Sequence, residues 1–211
     1  MSDISVGARD SLNRVYGLDP VLYNGIIYAS VYPKNVKGDQ YFSSINYVRG
    51  EATIRGIKYK NLDLNYDIYK QELLLKYLNP NNTYNIIMVS KAWLEGFSIG
   101  NINFEFYSTP EIPRRIYQVL GNYSIRLLYY NKKILQLNNA AGSSNFYFLP
   151  GKELFVLMDN SILKFHNNRS FIRLFAPEKQ PIIKKYLRKN RIKVRKAPDH
   201  VMEELINFCN K

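Results

Sequence analysis

Leu62-Asp63-Leu64-Asn65-Tyr66-Asp67-Ile68-Tyr69 places an apolar or aromatic side chain at every second position. A period of two is that of a β-strand, so Leu62, Leu64, Tyr66 and Ile68 are expected on a core face and Asp63, Asn65, Asp67 and Tyr69 on a wet face. Lys70-Gln71 then suits a turn, and Glu72–Leu78 reads as a second strand. Asn79-Pro80-Asn81-Asn82 closes that strand with four turn formers. The pair predicts an antiparallel hairpin.

Short extended segments continue on both sides of it. Upstream, residues 26–32 are apolar and stop at Pro33, and residues 41–48 form a second segment closed by Arg49-Gly50. The first 25 residues have no clear period, and Gly7, Gly17, Pro20 and Asn24-Gly25 mark loops and turns. Downstream, strands are expected over residues 85–89, 92–97, 102–107, 116–120 and 123–130. Asn131-Lys132 reads as a turn into 133–137, and residues 138–145 form a small polar loop. Residues 146–149, 153–158 and 161–165 complete the β-rich part, the last two joined at Asp159-Asn160.

After His166 the period changes. Residues 168–175 carry Phe171, Leu174 and Phe175 at helical spacing, behind polar residues able to cap a helix. Ile182, Ile183, Tyr186 and Leu187 form a second helical stripe, with Pro181 where a first turn tolerates it. Ile192 and Val194 alternate with basic residues and read as a short strand. Asp199 reads as the N-cap of a last helix with Met202, Leu205, Ile206 and Cys209 on its apolar face. The expected fold is α+β: a mainly antiparallel β-meander over residues 1–166, curled into a sandwich or partial barrel. A small basic helical unit, 167–211, is expected to pack on it.

The 46% apolar content and 14% aromatic content of the 211-residue chain support a sizeable core and exclude wholesale disorder, while the excess of Tyr (18) over Phe (11) predicts many half-exposed aromatic positions. No apolar run reaches the roughly 18 residues of a spanning helix. Most expected strands fall short of the roughly 9 residues that a membrane-barrel strand needs. The single cysteine, Cys209, excludes an internal disulfide. The net charge of +13 is uneven: residues 178–196 hold nine cations against Glu178, a local +8 that leaves +5 for the rest. Lys184, Lys185, Arg188, Lys189, Arg191, Lys193 and Arg195 are the candidate anion contacts. They read first as a solvated helix face, with nucleic-acid or polyanion binding as the alternative.

Two longer phrases add a resemblance. One is Gly56-Ile57-Lys58-Tyr59-Lys60-Asn61-Leu62-Asp63-Leu64-Asn65-Tyr66-Asp67-Ile68-Tyr69 with Glu72-Leu73-Leu74-Leu75. The other runs from Ser170-Phe171-Ile172-Arg173-Leu174-Phe175-Ala176-Pro177 through Tyr186-Leu187-Arg188-Lys189-Asn190-Arg191 into the closing helix. Together they resemble uncharacterised exported proteins of Bacteroidota, which pair a meandering β-region with a helix–helix–strand–helix ending. The resemblance implies a non-enzymatic binding or assembly module of the bacterial cell envelope, with another envelope protein as partner. It implies a periplasmic or outer-surface location if Met1 replaces a removed signal peptide; the chain is otherwise expected in the cytoplasm. It implies no activity.

Individual residues carry little chemistry in sequence. Asp63-x-Asn65-x-Asp67 has the opening spacing of a calcium loop, but Ile68 and Leu74 stand where that loop needs Gly and Glu. His166 and His200 have no metal-ligand spacing around them, and Cys209 lies on an apolar helix face. No nucleophile elbow, P-loop or dinucleotide fingerprint occurs. No metal, cofactor or catalytic residue is therefore expected. Trp93 and Tyr69 are candidate aromatic contacts for a ligand, set against ordinary strand packing.

Overall fold

The computed structural model describes residues 3–4, 17–33, 35–138 and 145–210. Most of the expected polar loop, 139–144, and the expected turn at Gly7 lie outside them. The described chain is a β-rich α+β fold whose helices all lie in its C-terminal part. Its strands are β1 (Asp3–Ile4), β2 (Gly25–Ile27), β3 (Val36–Lys37), β4 (Val48–Ile54), β5 (Ile57–Asp67), β6 (Glu72–Leu78) and β7 (Tyr84–Val89). They continue with β8 (Leu94–Ile99), β9 (Ile102–Tyr107), β10 (Arg115–Leu120), β11 (Arg126–Asn138), β12 (Asn145–Met158) and β13 (Ser161–Phe165). The helices are α1 (Asn168–Ile172), α2 (Gln180–Lys189) and α3 (Asp199–Cys209).

Contacts divide the chain into two compact units, Met1–Phe106 with Asn131–Gly151, and Tyr107–Tyr130 with Lys152–Lys211. The division does not follow a single cut at residue 166. β11 and β12 each contribute residues to both units, and the helices share the second unit with the strands they cover.

In the first unit the hydrogen-bonded order is β9-β8-β4-β5-β6-β7-β2, with β1 parallel to β5. The expected hairpin is β5–β6, in register from Asp67 opposite Glu72 to Asp63 opposite Lys76. Residues 90–93 alone join β7 to β8, although β6, β5 and β4 lie between them in the order. So short a link requires the sheet to curl, and strand twist supplies the curl. Rings meet inside it: Tyr66 lies 5.4 Å from Phe97 and 5.3 Å from Phe104, and those two stack at 4.7 Å.

Several expectations for this unit are corrected. The face of β5 expected to be wet is largely dry, because Asn65 and Asp67 are buried beneath the chain that precedes β4. Of residues 41–48 only Val48, which opens β4, lies in a strand. Tyr41 makes a single antiparallel bridge to Asp67, and the Phe42 and Ile68 amides donate to Tyr66 and Gln40 carbonyls. The strand starts only at the end of that segment, as β4, and Gly50 is inside it rather than closing its predecessor. A Cβ at Gly50 would lie 2.0 Å from the Ser98 carbonyl oxygen, so glycine lets β4 and β8 pair closely. Residues 28–32 likewise leave the ladder after β2.

Asn131-Lys132 is not a turn. β11 runs through it, held by Gln71 donating to the Asn131 carbonyl and by the Lys133 amide donating to Ile68. β12 similarly passes through Pro150-Gly151. β5, β11 and β12 are therefore longer, at 11, 13 and 14 residues, than the segments read from sequence.

In the second unit the order is β13-β12-β11-β10, antiparallel where β12 meets β13 and β11 meets β10. One sheet face carries Leu120, Leu127, Tyr129, Leu154 and Val156 into a core completed by the helices. Met202, Leu205, Ile206 and Cys209 of α3 and Ile183 and Leu187 of α2 are all buried there. Burying such side chains contributes roughly 1.5–3 kcal/mol each. This burial holds short, charge-rich helices that would not persist alone in water.

Candidate functional site

The second unit concentrates charge on segments built to present it. Asn167 caps α1: its side chain accepts from the Ser170 amide, and the Ser170 hydroxyl accepts from the Asn167 amide in return. After a turn, Pro181 sits in the first turn of α2, where its missing N–H costs nothing. With Ile183 and Leu187 buried, helical spacing turns Lys184, Lys185, Arg188 and Lys189 to solvent. Beyond α2, Ile192 and Val194 are buried while Arg191, Lys193 and Arg195 between and around them are exposed.

The alternation over 191–195 is not a strand. These residues form a turn-rich connection, and the Asn168 side chain takes the place of a partner strand. Its Nδ2 donates to the Ile192 carbonyl at 2.7 Å and its Oδ1 accepts from the Val194 amide at 2.9 Å. The ending is thus helix–helix–connection–helix. Asp199 does not cap α3 with its side chain either; Pro198 holds the cap position. The Asp199 carboxylate accepts from Gln118 at 2.6 Å and lies 3.6 Å from the Lys152 ammonium.

All seven candidate cations are exposed, and among the described residues none of them forms an ion pair. Two surface clefts lie against four of them. One, of about 600 Å³, is lined by Asn168, Arg169, Ile172, Arg173 and residues of α2 that include Lys184 and Arg188. The other, of about 550 Å³, is lined by His166, Asn167, Asn168, Arg169, Lys193, Arg195 and Lys196. No carboxylate lines either cleft. The structure therefore groups the sequence candidates into two sets, Lys184 with Arg188 and Lys193 with Arg195. It adds Arg169 and Arg173, which the sequence did not single out, and His166, which was weighed only for metal-ligand spacing.

Trp93 and Tyr69 are not brought together. The Arg55 guanidinium stacks over the Trp93 ring at 3.4 Å, beside the β4–β5 turn. Tyr69 lies in the β5–β6 turn, packed on Tyr32 and Phe148. The length of β5 separates the two turns by on the order of 30 Å. Each aromatic already has a packing partner, and the pair does not form one platform.

Among the described residues the most deeply buried acidic side chain is one expected in water. Asp67 is 0% exposed; its carboxylate accepts from the Tyr28 hydroxyl and from the Tyr69 and Lys70 amides, all at 2.8–2.9 Å. Gln40 donates to the Tyr28 oxygen. Burial, then the Asp67 carboxylate, pushes the Tyr28 phenol far above the usual range. Burial likewise raises Tyr32, to about 12. These bonds tie Tyr28 and Gln40 to the β5–β6 turn. The calcium reading of this stretch has no geometric basis: Asp63 pairs with Arg49 at 3.3 Å, and Asn65 donates to the Ser44 carbonyl. Among the described residues no group of three or more His, Cys, Asp and Glu converges as metal ligands do. Cys209 is buried, and burial pushes its thiol up to about 12.

No family model, curated protein or solved structure matches the chain. The geometry of the cationic clefts stands as the functional clue.

Proposed function

We propose that the chain is a non-enzymatic binding module that takes a polyanion on the cationic face of its helical region. The observation that supports this reading is the set of seven exposed cations with no ion-pair partner among the described residues, four of which, Lys184, Arg188, Lys193 and Arg195, line clefts without a carboxylate. Lys184 and Arg188 stand four residues apart on α2, as do Lys185 and Lys189. Like charges so placed cost roughly 0.2–0.5 kcal/mol per pair. A bound polyanion reverses that cost and releases its own counterions.

Retention of the chain by DNA, RNA and heparin across a salt series tests the reading. Binding at low salt that falls steeply with added salt is expected, and Lys184→Glu with Arg188→Glu should weaken it at least tenfold. Both positions are exposed, so unchanged far-ultraviolet circular dichroism would confirm that the variant folds. Failure of all three anions to bind at low salt sinks the reading.

For compartment and partner we propose the bacterial cell envelope and another envelope protein, supported by the resemblance of residues 56–75 and 170–211. Fractionation of cells expressing the native gene tests this, and recovery in the cytosol alone would overturn it.

A further inference from the structure

We infer that the two clefts form one track for a single extended phosphodiester chain, gripped by its backbone without regard to base sequence. This rests on the polyanion reading and names its ligand class. Three observations lead to it.

The first is continuity. Asn168 and Arg169 line both clefts, so the two share a wall, and a chain long enough to occupy both would run past Arg169. An isolated anion would occupy one end of such a track, whereas a chain with a charge on every repeat would use both.

The second is the state of the neutral polar groups. Both ends of the Asn168 amide are bonded to the 192–194 backbone, the Asn167 oxygen holds the α1 cap, and the Gln180 amide donates to the Phe175 carbonyl. The carboxamide oxygens of Asn167 and Asn168 already accept hydrogen bonds within the fold, and no carboxylate lines the clefts. Adenine and cytosine show amino donors in their readable edges, and of the Asn and Gln side chains in the clefts only the Gln180 oxygen is left to accept from them. What remains is mostly cationic, and guanidinium forks such as Arg169, Arg173 and Arg188 match phosphate oxygens two at a time.

The third is the lack of a stacking surface. No Phe, Tyr or Trp lines either cleft. The nearest aromatic on α2, Tyr186, is itself stacked on Phe208 at 4.1 Å. Proteins that hold single strands by their bases need such faces free. Here the bases meet no Phe, Tyr or Trp face and the backbone has charge to meet. Concave clefts also suit a chain better than the plane of a lipid headgroup layer.

Fluorescence anisotropy with the full chain tests this, using labelled oligo-dT and oligo-dA, unlabelled heparin, and vesicles of phosphatidylglycerol. Oligonucleotides of about 4 and about 12 nucleotides bracket the length of one binding site. The dT and dA affinities should agree within about threefold, with a log–log salt slope near −3 to −4 if about five phosphates are neutralised. The longer oligonucleotide should bind at least tenfold more tightly. Arg169→Ala should remove most of that length gain, with circular dichroism unchanged, because it breaks the shared wall. A dT or dA preference above tenfold, or no gain with length, overturns the inference while polyanion binding stands. Binding of heparin or vesicles without oligonucleotides overturns it in the same way. No binding of any probe removes the polyanion reading itself, and the inference with it.

Discussion

Asn168→Ala tests whether one amide organises the cationic surface. In the native chain its side chain closes two bonds to backbone, 2.7 Å to the Ile192 carbonyl and 2.9 Å from the Val194 amide. Those two residues are only 6% and 2% exposed. Truncation therefore leaves an acceptor and a donor without partners where water enters poorly. An unpaired buried group costs about 1–3 kcal/mol. The neighbouring cleft admits some water, so the lower part of that range applies, and the pair should sum to about 2–4 kcal/mol. For a chain of this length each kcal/mol moves Tm by about 2–4 °C, which gives a fall of roughly 4–16 °C. Thermal unfolding followed by circular dichroism at the helical minimum measures it. Amide hydrogen exchange adds a local readout, since the Val194 amide should be protected in the parent and exposed in the variant. A Tm change under about 2 °C, or a Val194 amide that exchanges freely in the parent, would refute the reasoning.

Two more perturbations probe packing and ionisation. Gly50→Ala places a methyl 2.0 Å from the Ser98 carbonyl oxygen, which only separation of β4 from β8 relieves. A loss of about 2–4 kcal/mol in urea unfolding is expected from overpacking and broken ladder bonds, and a loss below about 0.5 would contradict the register. The Cys209 thiol and the Tyr32 phenol, each pushed up to about 12, hold their protons more tightly in the folded chain than in the unfolded one. Their contribution is complete below the ordinary values of about 8.5 and about 10 and is lost as pH rises through about 12. The urea midpoint should thus stay level to about pH 8 and then fall, and a flat midpoint up to pH 11.5 would count against the buried assignments.

How much was legible in sequence follows from what each side chain reports. Leu62, Leu64 and Tyr66 announced β5 because a strand with one buried face writes its period directly. Asn65 and Asp67 were misread because their cover, residues 28–44, comes from elsewhere in the chain, and polarity alone suggests water. Gly50 looked like a stop because sequence does not reveal how closely Ser98 approaches. Ile192 and Val194 gave a strand's alternation without a strand, since anchoring by Asn168 imposes the same in-out pattern. The cations were legible as exposed, because charge without a partner stays in water. Arg169 and Arg173 were not, because only the turn between α1 and α2 brings them beside Lys184 and Arg188.

The arrangement of α2 also has a consequence for how the fold responds to its ionic surroundings. Lys184 and Arg188 are one helical turn apart, roughly 6 Å along the axis. That is shorter than the screening length of about 8 Å in physiological salt, so mobile ions leave much of the repulsion in place. Ile183 and Leu187 hold the helix down from one side while its own charges strain it from the other. An anion that settles between those charges is then a folding ligand as well as a binding partner, because it acts on the native helix and has no comparable site in the unfolded chain. Occupancy and rigidity of this surface would rise and fall together.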